Sequence, residues 1–312
     1  MDLGNSTQVT MFELSELTDD DTISLFLFIV FLLVYLVTIL GNVGLMIIVR
    51  VAPNLHTPMY LFLSYLALVD LLYSSSVTPK MLTDLISPKK TIAFYECATQ
   101  VFFFVAFSAA EVPLMSSMSY DRYVAVCHPL HYVSIMTTSK SLLLANLSIF
   151  SEFLMSLAQT ICVFSLQYCG SILINNFYCD VSRLIQLSCS ETMHCNMLIV
   201  LLIGACGLFS LLIILTSYTL IFVTIIRIKT SGGRQKSFST CSSHLMCVTI
   251  LYVTVFCNFL HSPSGTVEKQ DNVTSVFYAV VIPMLNPLIY SLKNQEVKRA
   301  MMRLYTTRHV QI

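Results

Sequence analysis

Charge is the scarce ingredient of this chain. Only 11% of its 312 residues are Asp, Glu, Lys or Arg, while 56% are hydrophobic. Soluble domains carry about 25% charged residues, so a water-soluble globule of this length cannot hide so much apolar side chain. Neither sign is in excess, with 17 basic and 17 acidic side chains. A basic field that would draw phosphates is therefore missing, and nucleic acid is excluded as a partner. A Walker loop, a nucleophile motif and metal-ligand spacing among His56, His128, His131, His194, His244, His261 and His309 are also lacking. Nothing here supports an enzyme, and no residue is nominated as catalytic. The class that remains is an integral membrane protein with lipid as its surroundings.

A spanning helix needs roughly 20 mostly apolar residues. Segments 23–49, 197–226, 237–263 and 272–292 contain no formal charge at all. Segments 59–81, 93–126 and 141–164 are apolar but hold acids: Asp70 in the first, Glu96, Glu111 and Asp121 in the second, Glu152 in the third. Backbone groups cannot go unpaired in lipid, so all seven spans should be helical. The expected organisation is an outer tail at 1–22, a seven-helix bundle at 23–292 and an inner tail at 293–312. Residues 1–22 are polar and acidic with no basic stretch, so no cleaved leader is expected. Of the 17 Lys and Arg side chains, twelve fall in the loops after spans 1, 3 and 5 and in the C-terminal tail, against five on the other side. Positive charge favours the cytoplasmic side, which puts the N-terminus outside and the C-terminus inside.

Cys97, Cys169, Cys179 and Cys189 fall in the outer half, where disulfides persist; two bridges can form there in three pairings. Asn5-Ser6-Thr7 in the outer tail is a usable glycosylation sequon. Inside the bundle, ionisable groups cost several kcal/mol and need a partner or a role. If spans 2 and 3 pack side by side, Asp70 and Glu111 come close, and like charges cannot both stay ionised unaided. One proton or one Na⁺ resolves the conflict, with Asn42 and Asn286 adding polar contacts; the alternative is a protonated acid that only hydrogen-bonds. Asp121-Arg122-Tyr123 ends span 3 about 16 Å below Glu111 along the helix. There the adjacent charges can hold each other while the bundle is closed. Pro287 breaks span 7 at its inner end, beside Tyr290. Glu152 has no evident partner and no assigned role.

The motifs follow one order: Gly41-Asn42, LHTPMY from Leu55 to Tyr60, Asp70, Cys97, MSYDRYVAVCHPLHY from Met118 to Tyr132, FYCD from Phe177 to Asp180, Ser217-Tyr218, KSFSTCSSHL from Lys236 to Leu245, and PMLNPLIYSLKN from Pro283 to Asn294. Over nearly its whole length the chain resembles an olfactory receptor, of the tetrapod-type class II group, within the rhodopsin-like G protein-coupled receptors. It departs from that pattern at Ser119 and Ser237, which stand for alanines, and at Val253, which stands for a glycine near the expected pocket floor.

That resemblance implies Cys97–Cys179 and Cys169–Cys189 bridges. It implies an acidic sodium position at Asp70 and Glu111, with structural Na⁺ as the sole cofactor candidate. It also implies a G protein switch built from Asp121, Arg122, Tyr123, Tyr218, His244 and Tyr290, and a short amphipathic helix after span 7. The implied partners are an odorant, a stimulatory heterotrimeric G protein acting through cyclic AMP, and the lipid of the plasma membrane, the ciliary membrane of sensory neurons. An odorant is expected between the outer halves of spans 3, 5, 6 and 7. Helical spacing nominates Phe104, Val105, Ser108 and Ala109; Leu202, Ile203 and Cys206; Tyr252, Val255, Phe256 and Phe259; and Val276 with Ala279. This set suits a small, mostly hydrophobic molecule. It holds no carboxylate, which disfavours an amine. Rival readings are a rhodopsin-like receptor for a non-odorant metabolite or lipid, and an ion transporter.

Overall fold

The computed structural model describes residues 9–18, 20–227, 231–260 and 276–310; in the last two stretches the side chains described are those of 241–254, 256, 276, 279–290, 294 and 296–303. Asn5 lies outside the described residues. So do the side chains of Val255 and Phe259.

The chain is a seven-helix membrane bundle. Five helices are long and apolar enough to cross a membrane: α1 (Asp21–Val51), α2 (Pro58–Ile86), α3 (Phe94–Cys127), α5 (Thr138–Phe164) and α7 (Met193–Arg227). A short helix, α4 (Tyr132–Ile135), lies in the inner loop before α5, and another, α6 (Val181–Gln186), in the outer loop before α7. Apolar stretches Cys241–Thr254 of α8 (Ser231–Leu260) and Ala279–Tyr290, which runs from a π-helical turn into α9 (Ile282–Lys293), complete the seven. The chain ends in α10 (Gln295–Val310), with Val297 and Ala300 buried and Glu296, Lys298 and Arg299 exposed, the expected amphipathic helix.

Which face each helix buries follows from its polar residues. α1 buries only Phe31, Thr38, Asn42, Leu45 and Val49, one narrow stripe, and turns Phe26, Leu33 and Leu40 outward to lipid. Asp20 starts it by accepting from the amides of Thr22 (2.8 Å) and Ile23 (3.2 Å). Those bonds hold its carboxyl below the usual carboxylate range. Gly41 lets α1 approach α9 closely, since a Cβ there would lie 3.2 Å from Pro287 Cγ. α3 runs through the centre, and its inner-half residues Leu114, Met115 and Met118 pack in one core with Leu63, Leu66, Val248 and Tyr290.

The outer surface carries a small sheet that the tail-to-bundle division of the sequence does not foresee. Strand β1 (Met11–Leu14) lies between β2 (Thr91–Ala93), antiparallel with Phe12 opposite Ile92, and β3 (Leu173–Ile174), parallel with Leu14 opposite Ile174. Its side chains alternate, so Phe12 and Leu14 are buried while Met11 and Glu13 face out. Phe12 rests on Phe94 and, edge-on, on Tyr168. Residues 11–14 are thus part of a lid and not a free tail. Bridges Cys97–Cys179 and Cys169–Cys189 tie the same outer loop to α3 and to itself, with Cα separations of 5.6 and 5.9 Å.

Candidate functional site

Under this lid lies a cavity of about 400 Å³ in the outer half of the bundle. Phe104, Val105, Ser108 and Ala109 of α3 line it, with Leu202, Ile203 and Cys206 of α7 and Tyr252 of α8. Its polar groups nominated from sequence are already engaged: Ser108 Oγ donates to the Val105 carbonyl (3.2 Å) and the Tyr252 hydroxyl to the Gly207 carbonyl (3.4 Å). Phe104 closes the edge toward α2, its ring 5.1 Å from Tyr73 and 4.9 Å from Tyr178.

Three nominated residues stand elsewhere. Phe256 is 63% exposed. Among the described residues of α8 the buried positions are Cys241, Ser243, His244, Cys247, Val248, Leu251 and Thr254, and Phe256 sits about 200° round the helix from Thr254, facing lipid. Val253 is likewise exposed, so the residue standing for a glycine does not form the pocket floor. Ala279 is buried behind Phe104 in a cluster with Phe31, Tyr73 and Val77, and Val276 packs against it; neither lines the cavity.

The wall that sequence reasoning missed is α5. Glu152, Met155, Ser156 and Gln159 line the cavity, joined by Asp180 and Val181 from the outer loop. Glu152 is 4% exposed and accepts from Cys206 Sγ at 3.0 Å. A carboxylate therefore does stand at the ligand level. The signal was present in the sequence. Ser141, Ser148, Glu152, Ser156 and Gln159 are the buried polar residues of α5 and recur at helical spacing. A polar stripe on a membrane helix must face protein, and its outer part, Glu152, Ser156 and Gln159, faces the cavity.

Deeper in the bundle Asp70 and Glu111 are almost fully buried and interact with each other. Asn286 Nδ2 donates to Asp70 Oδ1 at 3.2 Å. Asp70 Oδ2, both Glu111 carboxylate oxygens and Asn42 Oδ1 are buried with no hydrogen-bond partner among the described residues. Asn42 spends its amide on the carbonyls of Thr38 (3.0 Å) and Pro283 (3.1 Å), one turn from Asn286. Orphaned, all-oxygen donors of this kind fit a small hard cation such as Na⁺, and a shared proton fits them too.

At the inner end, Asp121 and Arg122 do not pair with each other. Lys80–Asp84 and Lys90–Glu16 are ion pairs elsewhere in the chain. Neighbours on a helix point about 100° apart, and Asp121 turns instead to Tyr132, whose hydroxyl donates to Oδ1 at 2.8 Å. Burial, then the Asp121 carboxylate, push the Tyr132 phenol above its ordinary range, so it remains an O–H donor. Arg122 Nε is buried with no hydrogen-bond partner among the described residues. Tyr218 bonds His244 Nδ1 at 2.5 Å with the rings stacked, Tyr123 bonds His128 Nε2 at 3.1 Å, and Tyr290 lies fully buried against Met115.

A family model described as olfactory receptor matches residues 31–308. Olfactory receptor 5B12 of Homo sapiens is 49% identical over 296 residues, 95% of this chain and 94% of that relative. Olfactory receptor 5AR1 of Mus musculus is 46% identical over 304 residues, 97% and 98% of the two chains. Olfactory receptor 5B21 of Mus musculus is 47% identical over 300 residues, 96% and 94% of the two.

Proposed function

The chain belongs to the olfactory receptor family, and on that premise we propose how this member works. It is an odorant receptor of the plasma membrane, multi-pass and not an enzyme, and the family brings coupling to a heterotrimeric G protein. Our reading is that a small, mostly hydrophobic molecule occupies the outer cavity between α3, α5, α7 and α8. The observation that carries it is the cavity itself, about 400 Å³ with a largely apolar lining, within the range of small-molecule pockets. Ligand binding there favours an open inner face around Arg122, because a ligand shifts a two-state equilibrium only through its differential affinity. The G protein is of the stimulatory olfactory type, read out as cyclic AMP, and the working membrane is the cilium of sensory neurons.

In the closed bundle Asp70, Glu111 and Asn286 would hold a sodium ion, which supplies positive charge to the acid pair. The unpartnered oxygens of Asp70 and Glu111, with Asn42 Oδ1 nearby, support this. Asp121, Arg122, Tyr123, Tyr218, His244 and Tyr290 form the inner switch.

A cyclic AMP screen of an odorant panel tests the cavity. Ala109→Phe places a ring in the lining and should abolish responses with surface expression kept. Undiminished responses in that variant would move the ligand elsewhere.

A further inference from the structure

We propose that Glu152 anchors the polar group of the ligand, and that this receptor takes small amines with an apolar body. The inference rests on the cavity being the odorant site and names the chemical class that site accepts. Glu152 has left water, at 4% exposure, yet it stands in the cavity wall. The donor at its Oε1 is a thiol, Cys206 Sγ, and a thiol is a weak hydrogen-bond donor. Among the described residues that line the cavity there is no Lys, Arg or His, whereas Asp180 adds a second acid at the outer rim. Asp180 is occupied as the cap of α6, accepting from the amides of Ser182 and Arg183.

A buried carboxylate without a cation is costly, and the described residues of the wall offer none. A protonated amine brings the missing charge and a strong, charge-assisted hydrogen bond. Its alkyl part falls against Phe104, Val105, Leu202 and Ile203, which share the same cavity. Ser156 and Gln159 extend the polar wall from Glu152 toward the outer rim, Gln159 standing roughly 10 Å along the helix from Glu152. That stripe gives a cation a route inward. An alcohol of the same shape makes only a neutral hydrogen bond to the acid and gains far less.

The test is a cyclic AMP dose–response of the full-length receptor, with surface staining, to hexylamine and cyclohexylamine and to the matched hexanol and cyclohexanol. Wild type, Glu152→Gln and Ala109→Phe are compared. Gln retains an oxygen for the Cys206 thiol, so the variant isolates the charge. Expected are amine responses at concentrations at least tenfold below those of the alcohols, and a loss of at least about tenfold in amine potency in Glu152→Gln with alcohol potency unchanged. Three results overturn the proposal. Alcohols that match the amines in wild type leave the cavity reading intact but remove the amine class. Amine potency unchanged in Glu152→Gln removes the anchor. Amine responses that survive Ala109→Phe show that the cavity is not the site, and both readings fall together.

Discussion

Tyr132 shows how much the resting receptor leans on single hydroxyls. Its bond to Asp121 partners one oxygen of a fully buried carboxylate whose other oxygen has no partner among the described residues. Tyr132→Phe keeps the ring and removes the donor. A buried acceptor stripped of its partner costs about 1–3 kcal/mol, and only the closed bundle bears that cost if the switch opens by releasing Asp121. Ligand-free cyclic AMP per surface receptor should therefore rise severalfold; a basal level equal to wild type would show that Asp121 does not restrain the closed form. Asp70→Asn works on the other buried acid. It removes one of the two charges that call for a cation while keeping an oxygen and the shape. Purified wild-type receptor should melt at a higher temperature in sodium chloride than in choline chloride, and the Asn variant should lose the difference. Equal melting of wild type in both salts would dismiss the ion. At this scale the sequence was legible wherever polarity broke an apolar run, as at Asp70, Glu111 and Arg122. It was misleading in α8, where lipid-facing and cavity-facing positions are both apolar. Helical spacing there carries no contrast to set the phase, so Phe256 and Val253 were turned inward. Glu152 was conspicuous, but its neighbour Cys206 is 54 residues away on another helix.

Elements divide by how their stability arises. The spans were readable because lipid leaves the backbone no option but the helix, and hydropathy marks the residues that must cross. The lid was not readable, since four-residue β1 in a polar tail gives too little alternation to separate from chance. It is held by register and by one ring. Leu14 N–H donates to the Lys90 carbonyl at 2.7 Å, Glu13 N–H to Ile172 at 2.9 Å, and Phe94 N–H to Thr10 at 2.9 Å. Phe12, with no exposed surface, packs on Phe94 and Tyr168 between them. Truncating a buried Phe costs about 3–5 kcal/mol, more than a three-stranded patch this small can absorb. Phe12→Ala should speed amide exchange across 11–14, 91–94 and 172–174, leaving α2 and α3 at wild-type protection. The Cys97–Cys179 and Cys169–Cys189 bridges would keep the outer loop near the bundle, so surface expression should survive. Exchange unchanged at 11–14 would mean the strand is held by its ladder alone.

Across the whole molecule, α3 is the central helix that joins the two ends. Ser108 lines the cavity and Arg122 sits at the inner mouth, about 21 Å apart along the same helix axis. α7 and α8 span the same distance beside it. They supply Cys206 and Tyr252 to the cavity above, and below they are joined by the Tyr218–His244 bond. A ligand that draws the upper ends of α3, α7 and α8 together can therefore bias how their lower ends sit. Binding free energies coupled in this way are reciprocal: the factor by which ligand raises G protein affinity is the factor by which G protein raises ligand affinity, commonly about 5–150-fold. Arg122→Ala leaves every cavity residue in place and removes the side chain at the inner mouth. Ligand affinity of the isolated variant should equal that of wild type. Adding purified nucleotide-free G protein should tighten ligand binding to wild type by a factor in that range and leave the variant unmoved, with no cyclic AMP response in cells that display it normally. A variant whose ligand affinity still rises with G protein would show that the coupling passes through α7 and α8 without Arg122, and the switch would have to be placed on Tyr218 and His244 alone.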